Sequence, residues 1–280
     1  MKIFKSVFFL AVAIFLTACV SAPPIQQPIQ FSQTDSYELY RSTLLDQTNH
    51  TLQHLNPTKD MLYYQTYGGG GVGAGLLLGP LGVAANIKMI ESKTMKDVAE
   101  LNNKIAVNPQ EIFMRSANAS GVSIKSVGTN KSFKLNPYLL FERTENDVIM
   151  AASVILVDHV GSPNKFQSKY LVQLPVTYSI SELSNLDDAK KSQLSALAEE
   201  GFSTLLARMK AETTANTATE EAVSFSSEFL TPRFKFEMAG TLIDTDASFT
   251  WVRTVGGVYG VRNADITLKK AKAKAKKKNT

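Results

Sequence analysis

The chain has 280 residues, 44% of them hydrophobic and 20% charged, with a formal net charge of +5 and a single cysteine. This length suffices for a folded body with a real core and a second small unit, and one cysteine excludes a disulfide within the chain. The positive charge lies at the two ends: residues 19–268 hold 21 basic and 25 acidic side chains, a net of −4, so the basicity does not predict nucleic-acid binding.

The N-terminal residues have the pattern of a secretion signal. Lys2 and Lys5 give a positively charged start, and residues 7–16 form an unbroken apolar run. This run is too short to cross a bilayer as a mature helix, which favours a signal peptide over a transmembrane anchor. Small residues then lead to the single cysteine of the chain.

The motif Leu16-Thr17-Ala18-Cys19 resembles the lipobox of bacterial lipoprotein precursors. The resemblance implies that residues 1–18 are removed and that Cys19 becomes the acylated N-terminus of the protein. Two or more acyl chains hold a protein stably on its membrane. A plain secretory signal followed by an incidental cysteine is the alternative.

Val20, the residue after Cys19, indicates in which membrane the protein is located. Members of this family that stay in the inner membrane of Gram-negative cells usually have Asp there, so Val20 favours the outer membrane, facing the periplasm. Residues 19–34 contain three prolines and several glutamines, which predicts an extended tether between the lipid and the folded body. With Cys19 acylated, no thiol remains for catalysis or for metal binding.

A helix is predicted from Asp35 to Asn56, because a glutamate three residues after Asp35 completes a capping box. On such a helix Asp46, His50 and His54 lie one turn apart and are the candidate metal ligands. The pattern lacks the glutamate that zinc proteases place after the first histidine. We therefore predict a solvated polar face at these residues and no metal site.

Residues 68–85 are glycine-rich and apolar, and no charged residue occurs between Asp60 and Lys88. The candidate helix-contact residues are Gly71, Gly75 and Gly79. Their spacing of four lets another backbone approach closely on a helix, and the segment resembles the glycine zippers of some outer-membrane lipoproteins. Three interpretations stay open: a membrane-inserted element, a subunit contact, and a tightly packed buried loop that leads into a helix.

Residues 35–212 predict an α+β body in which amphipathic helices pack on an antiparallel sheet. Apolar residues recur at helical spacing over residues 87–105. Asn108 before Pro109 is a strong helix start, and residues 187–212 predict a third, long helix.

The centre of the chain is rich in strand patterns. Residues 122–127 and 133–135 flank a Gly-Thr-Asn turn, which predicts a hairpin, and residues 148–157 are almost wholly apolar, as in a central strand covered on both faces. Apolar side chains alternate over residues 166–180, which predicts a half-buried strand. Pro175 within this strand predicts an edge or a bulge.

Residues 213–222 are predicted to be a linker on which Glu220 is solvated, and residues 223–268 are predicted to form a small β unit. The motifs of this unit that resemble small SH3-like barrels lie at residues 240–243, 251–254, 256–260 and 265–268. The resemblance implies a barrel that binds peptides or other proteins, although a fold alone does not fix a function.

Residues 269–280 contain only lysine, alanine, asparagine and threonine, which predicts a disordered tail. Its lysines are Lys269, Lys270, Lys272, Lys274, Lys276, Lys277 and Lys278. A solvated tail is one interpretation. Contact with anionic lipid head groups is the other, in which each lysine contributes about 1 kcal/mol.

The chain offers no complete catalytic motif: Ser162 and Lys165 match S-x-x-K without its companion motifs, and His159 has no nucleophile motif to serve. We therefore predict a lipid-anchored envelope protein with a non-catalytic binding or scaffolding role and without a cofactor. Its expected partners are the membrane, through Cys19, and other envelope proteins, with an oligomer as one arrangement. A membrane-active or transport-accessory lipoprotein that uses residues 68–85 is the alternative, and a hydrolase that uses histidine and carboxylates is the third hypothesis.

Overall fold

The computed structural model describes residues 37–41, 46, 48–67, 79–125, 133–159, 167–212, 219–231 and 236–270. Within these residues, four α-helices accompany twelve strands that belong to a single sheet. The helices are α1 Gly79–Leu101, α2 Pro109–Ala119, α3 Ile180–Ser184 and α4 Asp188–Ala211. The strands are β1 Tyr37–Leu39, β2 Leu52–His54, β3 Met61–Gln65, β4 Ile124–Lys125, β5 Phe133–Arg143, β6 Ile149–His159, β7 Gln167–Tyr178, β8 Glu221–Ser227, β9 Met238–Thr245, β10 Phe249–Thr254, β11 Gly257–Arg262 and β12 Ile266–Lys270.

The protein is α+β, but its sheet is mixed, so the predicted antiparallel sheet is wrong. The strand order is β12-β8-β9-β10-β11-β7-β6-β5-β1-β4, and β3 pairs with β2 and β5. β5 pairs in parallel with both β1 and β3, and β11 pairs in parallel with β7. Parallel neighbours need a long connection: α1 and α2 lie between β3 and β5 in the chain, and α4 lies between β7 and β11.

The predicted N-terminal helix is also wrong for the residues that are described. Tyr37–Leu39 forms β1, which lies between β4 and β5, and Leu52–His54 forms β2, which pairs with β3. β4 and β5 are consequently separated by β1 and do not form the predicted hairpin. Tyr37 stacks on Phe133 with their ring centroids 6.1 Å apart. Packing against the sheet therefore outweighs the local capping pattern.

Helices α2 and α4 cover one face of the sheet, as their apolar faces predict. The Asn108 side chain accepts hydrogen bonds from two amides in the first turn of α2, and the Asp187 side chain accepts one, from the Lys190 amide, at the start of α4. Phe113 of α2 and Phe202 of α4 meet edge to face with ring centroids 5.5 Å apart. The larger hydrophobic core lies between these helices and the sheet.

Strands β6 and β7 are central strands, and Pro175 lies where its missing amide hydrogen breaks no ladder bond. The register between β6 and β7 shifts between Met150 and Ala152, opposite the segment that contains Pro175. On the other side of β7, strand β11 pairs only with residues 170–172. The predicted edge or bulge is confirmed, and both occur at this proline.

Strands β8–β12 are antiparallel to one another in the order β12-β8-β9-β10-β11, with a 3-10 turn at Asn263–Asp265 before β12. Their apolar side chains form a second core against the face of the central strands that the helices leave uncovered. Its buried residues include Leu62, Tyr138, Val154, Leu171, Phe225, Phe229, Val252 and Val261. Because of this core, the centre of β7 is buried on both faces rather than half-buried.

A buried arginine connects the end of α4 to the C-terminal strands. Arg253 on β10 is 2% exposed, and its Nη2 donates to Glu212 Oε1 at 2.8 Å and to Glu220 Oε1 at 3.0 Å. The Tyr170 hydroxyl donates to Glu212 at 2.8 Å. The prediction that Glu220 is solvated is wrong, because Arg253 holds its carboxylate inside the protein.

Candidate interaction surface

Helix α1 carries one continuous stripe of side chains, of which only the second half is covered. The α1 stripe consists of Val83, Ile87, Ile90, Thr94, Asp97 and Leu101, which are three or four residues apart and share one helix face. From Ile90 onward its members are buried, where α1 contacts β2, β3 and α3. Val83 and Ile87 are 53% and 39% exposed. The apolar face of α1 thus continues towards the N-terminus of the helix, past the part that packs on the protein body.

A polar cluster around Asp97 fixes the covered half of the stripe. The Tyr63 hydroxyl on β3 and Nη1 of Arg143 on β5 both donate to Asp97 Oδ2, each at 2.6 Å. Burial and the neighbouring Asp97 carboxylate raise the pKa of Tyr63, so its hydroxyl stays protonated and donates. Arg143 also pairs with Asp147 at 2.9 Å. This Asp97 cluster attaches the helix to two strands at once.

Gln65 on β3 forms a second polar attachment for α1. Its Nε2 donates to the Ile90 carbonyl oxygen and to Thr94 Oγ1, both at 3.1 Å. Its Oε1 accepts a hydrogen bond from the Tyr67 amide at 2.6 Å. Both attachments reach the helix at or after Ile90, whereas the side chains of residues 83–85 and 87–89 before it are exposed.

The outward side of α1 combines apolar and basic side chains. Met89 and Met95 are 38% and 50% exposed. Beside them lies the basic groove, an open depression of about 510 Å³ lined by Lys88, Met89, Ser92, Lys93, Lys96, Asp97 and Arg143. Exposed apolar side chains next to lysines are typical of surfaces that meet a partner protein or an anionic membrane.

The described part of residues 68–85 favours the contact interpretations of that segment. Gly79 is the first residue of α1, whereas Gly71 and Gly75 lie outside the described residues. Within the segment, side chains are described from Val83 onward, and those of residues 83–85 are exposed. The interpretation as a buried helix start does not hold for these three positions.

The predicted helix face with Asp46, His50 and His54 is not formed, because His54 lies in β2 and His50 precedes that strand. Asp46 Oδ1 instead accepts from Arg41 at 2.8 Å and from Lys59 at 3.1 Å on the protein surface. Throughout the described ranges, the structure brings together no group of three His, Cys, Asp or Glu side chains suited to a metal ion.

Two of the predicted tail lysines belong to the sheet. Lys269 and Lys270 are the last residues of β12 and pair with β8, and Lys269 forms an ion pair with Glu237. Cys19 and the remaining lysines lie outside the described residues, namely Lys272, Lys274, Lys276, Lys277 and Lys278. Contact of these lysines with anionic lipid stays a prediction.

Sequence reasoning missed Asp97 as part of the α1 stripe. It lies seven residues after Ile90 and four before Leu101, at the spacing of the buried face. The position of an acidic residue on the buried face is the one feature of the sequence that indicates a paired carboxylate, because its partners Tyr63 and Arg143 are distant in sequence.

A comparison with protein families, with curated proteins and with solved structures finds no match for this chain. Among the described helices, none combines the length and the apolar composition that crossing a bilayer requires.

Proposed function

We propose that this chain is a lipid-anchored protein of the cell envelope with a non-catalytic scaffolding role, and that α1 docks a partner protein. The observation that carries the proposal is the exposure of Val83 and Ile87 on a stripe that is buried from Ile90 onward. Contiguous apolar side chains left in water mark contact surfaces. The resemblance of Leu16-Thr17-Ala18-Cys19 to a lipobox supports the envelope address.

The sequence before α1 supports a protein contact at the same place. Residues 61–87 are uncharged, so a partner meets no charge that must be desolvated. Gly71, Gly75 and Gly79 recur every four residues, a spacing that permits close approach of two helix backbones. A partner docked here is held near the membrane by the tether that begins at Cys19.

A membrane-active or transport-accessory role is the second candidate function, and the basic groove favours it. Lys88, Lys93 and Lys96 lie beside the exposed Met89 and Met95. An interfacial helix places such apolar side chains among acyl chains and its lysines at anionic head groups. The two candidates differ in whether protein or lipid lies against the exposed half of α1.

We also propose that strands β8–β12 form an SH3-like barrel that takes part in the scaffolding. Their antiparallel order and the 3-10 turn at Asn263–Asp265 before the last strand support this assignment. The parallel pairing of β11 with β7 makes this unit continuous with the central sheet. Its orientation relative to α1 is thereby fixed by a shared backbone ladder.

Site-specific cross-linking in intact cells tests the docking surface. Cys19 is the only cysteine and is acylated in this proposal, so Ile87→Cys supplies the only free thiol for attaching a photo-cross-linker. We expect a discrete protein adduct, whose mass shows directly whether the partner is a second copy of the chain. Ser192→Cys, exposed on α4, is the matched control and should give no adduct. Lipid adducts alone at residue 87 would favour the membrane-active role, and equal adducts at both positions would contradict docking.

The envelope address is tested by metabolic labelling with a tagged fatty acid. Cys19→Ala removes the sulfur that is acylated, so we expect loss of the label and accumulation of an unprocessed precursor. Label on the Cys19→Ala protein as strong as on the wild type would contradict the lipoprotein assignment.

A further inference from the structure

A partly open pocket lies on the face of the sheet opposite α2 and α4, beside the C-terminal strands. Its volume is about 430 Å³, within the range of roughly 300–1,000 Å³ of small-molecule sites. Its apolar lining residues are Leu52, Leu62, Leu140, Leu156, Leu230 and Met238. Its polar lining residues are Tyr64, Tyr138, Glu142, Lys169, Thr254 and Tyr259. We call it the tyrosine pocket.

The tyrosine pocket is separated from α1 by the sheet itself. Alternate residues of β3 face opposite sides: Tyr63 and Gln65 bond to α1, whereas Leu62 and Tyr64 line the pocket. The alternation along β5 likewise directs Glu142 into the pocket. A ligand in the pocket therefore occupies a different site from a partner on α1.

Glu142 is a buried carboxyl group that has Lys169 as a charged neighbour but no hydrogen-bond partner among the described residues. It is 4% exposed and, within the described part of the chain, forms neither a hydrogen bond nor an ion pair. Glu212 is buried to a similar degree but accepts from Arg253 and Tyr170. Buried polar groups are almost always satisfied, so one that lines a pocket without a hydrogen-bond partner from the described residues points to a ligand there.

The charges in the pocket indicate the sign of that ligand. Burial raises the pKa of Glu142 well above its ordinary value although Lys169 opposes the shift, which favours the neutral carboxyl, a hydrogen-bond donor, over the carboxylate. Burial lowers the pKa of Lys169, but Tyr259, Tyr138 and Glu142 together raise it by more, which favours the charged ammonium. Its Nζ lies 4.9 Å from the centroid of the Tyr259 ring. The pocket thus combines a positive charge with hydrogen-bond donors.

We propose that the tyrosine pocket binds a single-chain amphiphile with an anionic, oxygen-rich head group. The head group accepts hydrogen bonds from the Glu142 carboxyl and the Lys169 ammonium, and the chain lies along the leucine side chains. A carboxylate of a fatty acid and a phosphate of a lipid share this chemistry. This binding goes beyond the scaffolding role and does not depend on it.

A pH dependence follows from the raised pKa of Glu142, which shares the pocket with the Lys169 ammonium and the hydroxyls of Tyr64, Tyr138 and Tyr259. As the pH rises through the pKa of this carboxyl, its ionised form loses the donated hydrogen bond and repels an anionic head group. Affinity for the amphiphile therefore falls with rising pH, and Glu142→Gln removes that fall because an amide stays neutral and keeps a donor.

Calorimetric titration of the mature chain with four ten-carbon probes tests the proposal. Cys19→Ser prevents acylation, so that no detergent competes for the pocket. We expect decanoate and decyl phosphate to bind about tenfold or more tightly than decanol, because an ionised acceptor strengthens the hydrogen bonds to its head group. Whichever anion binds more tightly identifies a free fatty acid or a lipid phosphate as the source, and either order supports the proposal.

Lys169→Met should abolish the preference for decanoate over decanol, and its retained decanol binding shows that the variant is folded. Lys134→Met is the matched control, since Lys134 also lies over a tyrosine ring, that of Tyr40, at 4.7 Å but outside the pocket. Tighter binding of decylamine than of decanoate would overturn the proposal. So would the failure of all four probes to bind the wild-type chain, an outcome that leaves the cross-linking result at Ile87 unaffected.

Discussion

The two halves of helix α1 have the same periodicity but opposite surroundings. Ile87 and Ile90 are the same residue type three positions apart on one stripe, yet they are 39% and 5% exposed. The second half packs on β3 and is fixed through Asp97, whereas the first half presents Val83 and Ile87 to solvent. An amphipathic pattern determines which face of a helix is apolar, but the tertiary structure determines how much of that face is covered.

Removal of the Asp97 carboxylate has the largest expected effect on this contrast. Asp97→Ala leaves the Tyr63 hydroxyl and the Nη1 group of Arg143 buried without their acceptor. We therefore expect the free energy of unfolding to fall by about 3 kcal/mol. Urea denaturation measures the loss. Glu100→Ala, exposed on the same helix, is the control and should change stability by less than about 0.5 kcal/mol. Equal losses for the two variants would show that α1 is not attached through Asp97.

Truncation of the two isoleucines compares the halves directly. Ile90→Ala leaves a cavity in the core, and we expect it to cost about 2–4 kcal/mol of unfolding free energy. Ile87→Ala removes the same atoms from a half-exposed position and should cost less than about 1 kcal/mol. The same urea experiment on monomeric protein gives both values. A loss at Ile87 as large as that at Ile90 would mean that the first half of α1 belongs to the core.

The Asp97 cluster also predicts how stability changes in alkali. Because the pKa of Tyr63 in the folded protein lies above its ordinary value of 10.0, its contribution to stability is complete below that pH and is lost as the pH rises further. Each such tyrosine contributes a slope of about 1.4 kcal/mol per pH unit. Burial raises the pKa of Tyr138 and Tyr178 to about 12, so they share the effect. Tyr63→Phe should reduce the slope, and an unchanged slope would contradict the raised pKa of Tyr63.

Local signals in the sequence predict α2, α4 and the central strands well. The cap at Asn108 and the alternation through β7 are complete within a few residues, and the structure follows both. Pro175 marks a bulge because proline lacks the amide hydrogen that any ladder position needs. Each of these features depends on chemistry that neighbouring residues supply.

Features that depend on distant residues are not predictable in this way. The Asp35 capping pattern predicts a helix, yet Tyr37 pairs and stacks with β5, almost one hundred residues away. The sequence around Glu220 is that of an exposed linker, and its burial depends on a hydrogen bond from Arg253 on β10, which is distant in sequence. The tyrosine pocket has no sequence signature, because its lining residues come mostly from β2, β3, β5, β6, β7, β9, β10 and β11. Only the parallel pairing of β11 with β7 brings Tyr259 to Lys169.

A charge at Ile87 tests most directly whether the exposed half of α1 is a docking surface. Ile87→Arg places a guanidinium where a partner packs, while the residue makes little contribution to the core. In the lipidated full-length protein, we expect the unfolding free energy to stay within about 0.5 kcal/mol of wild type. We also expect sedimentation to show that the complex with the partner docked on α1 has dissociated. A complex of unchanged size, or a loss of stability like that of Ile90→Ala, would contradict a docking role for α1.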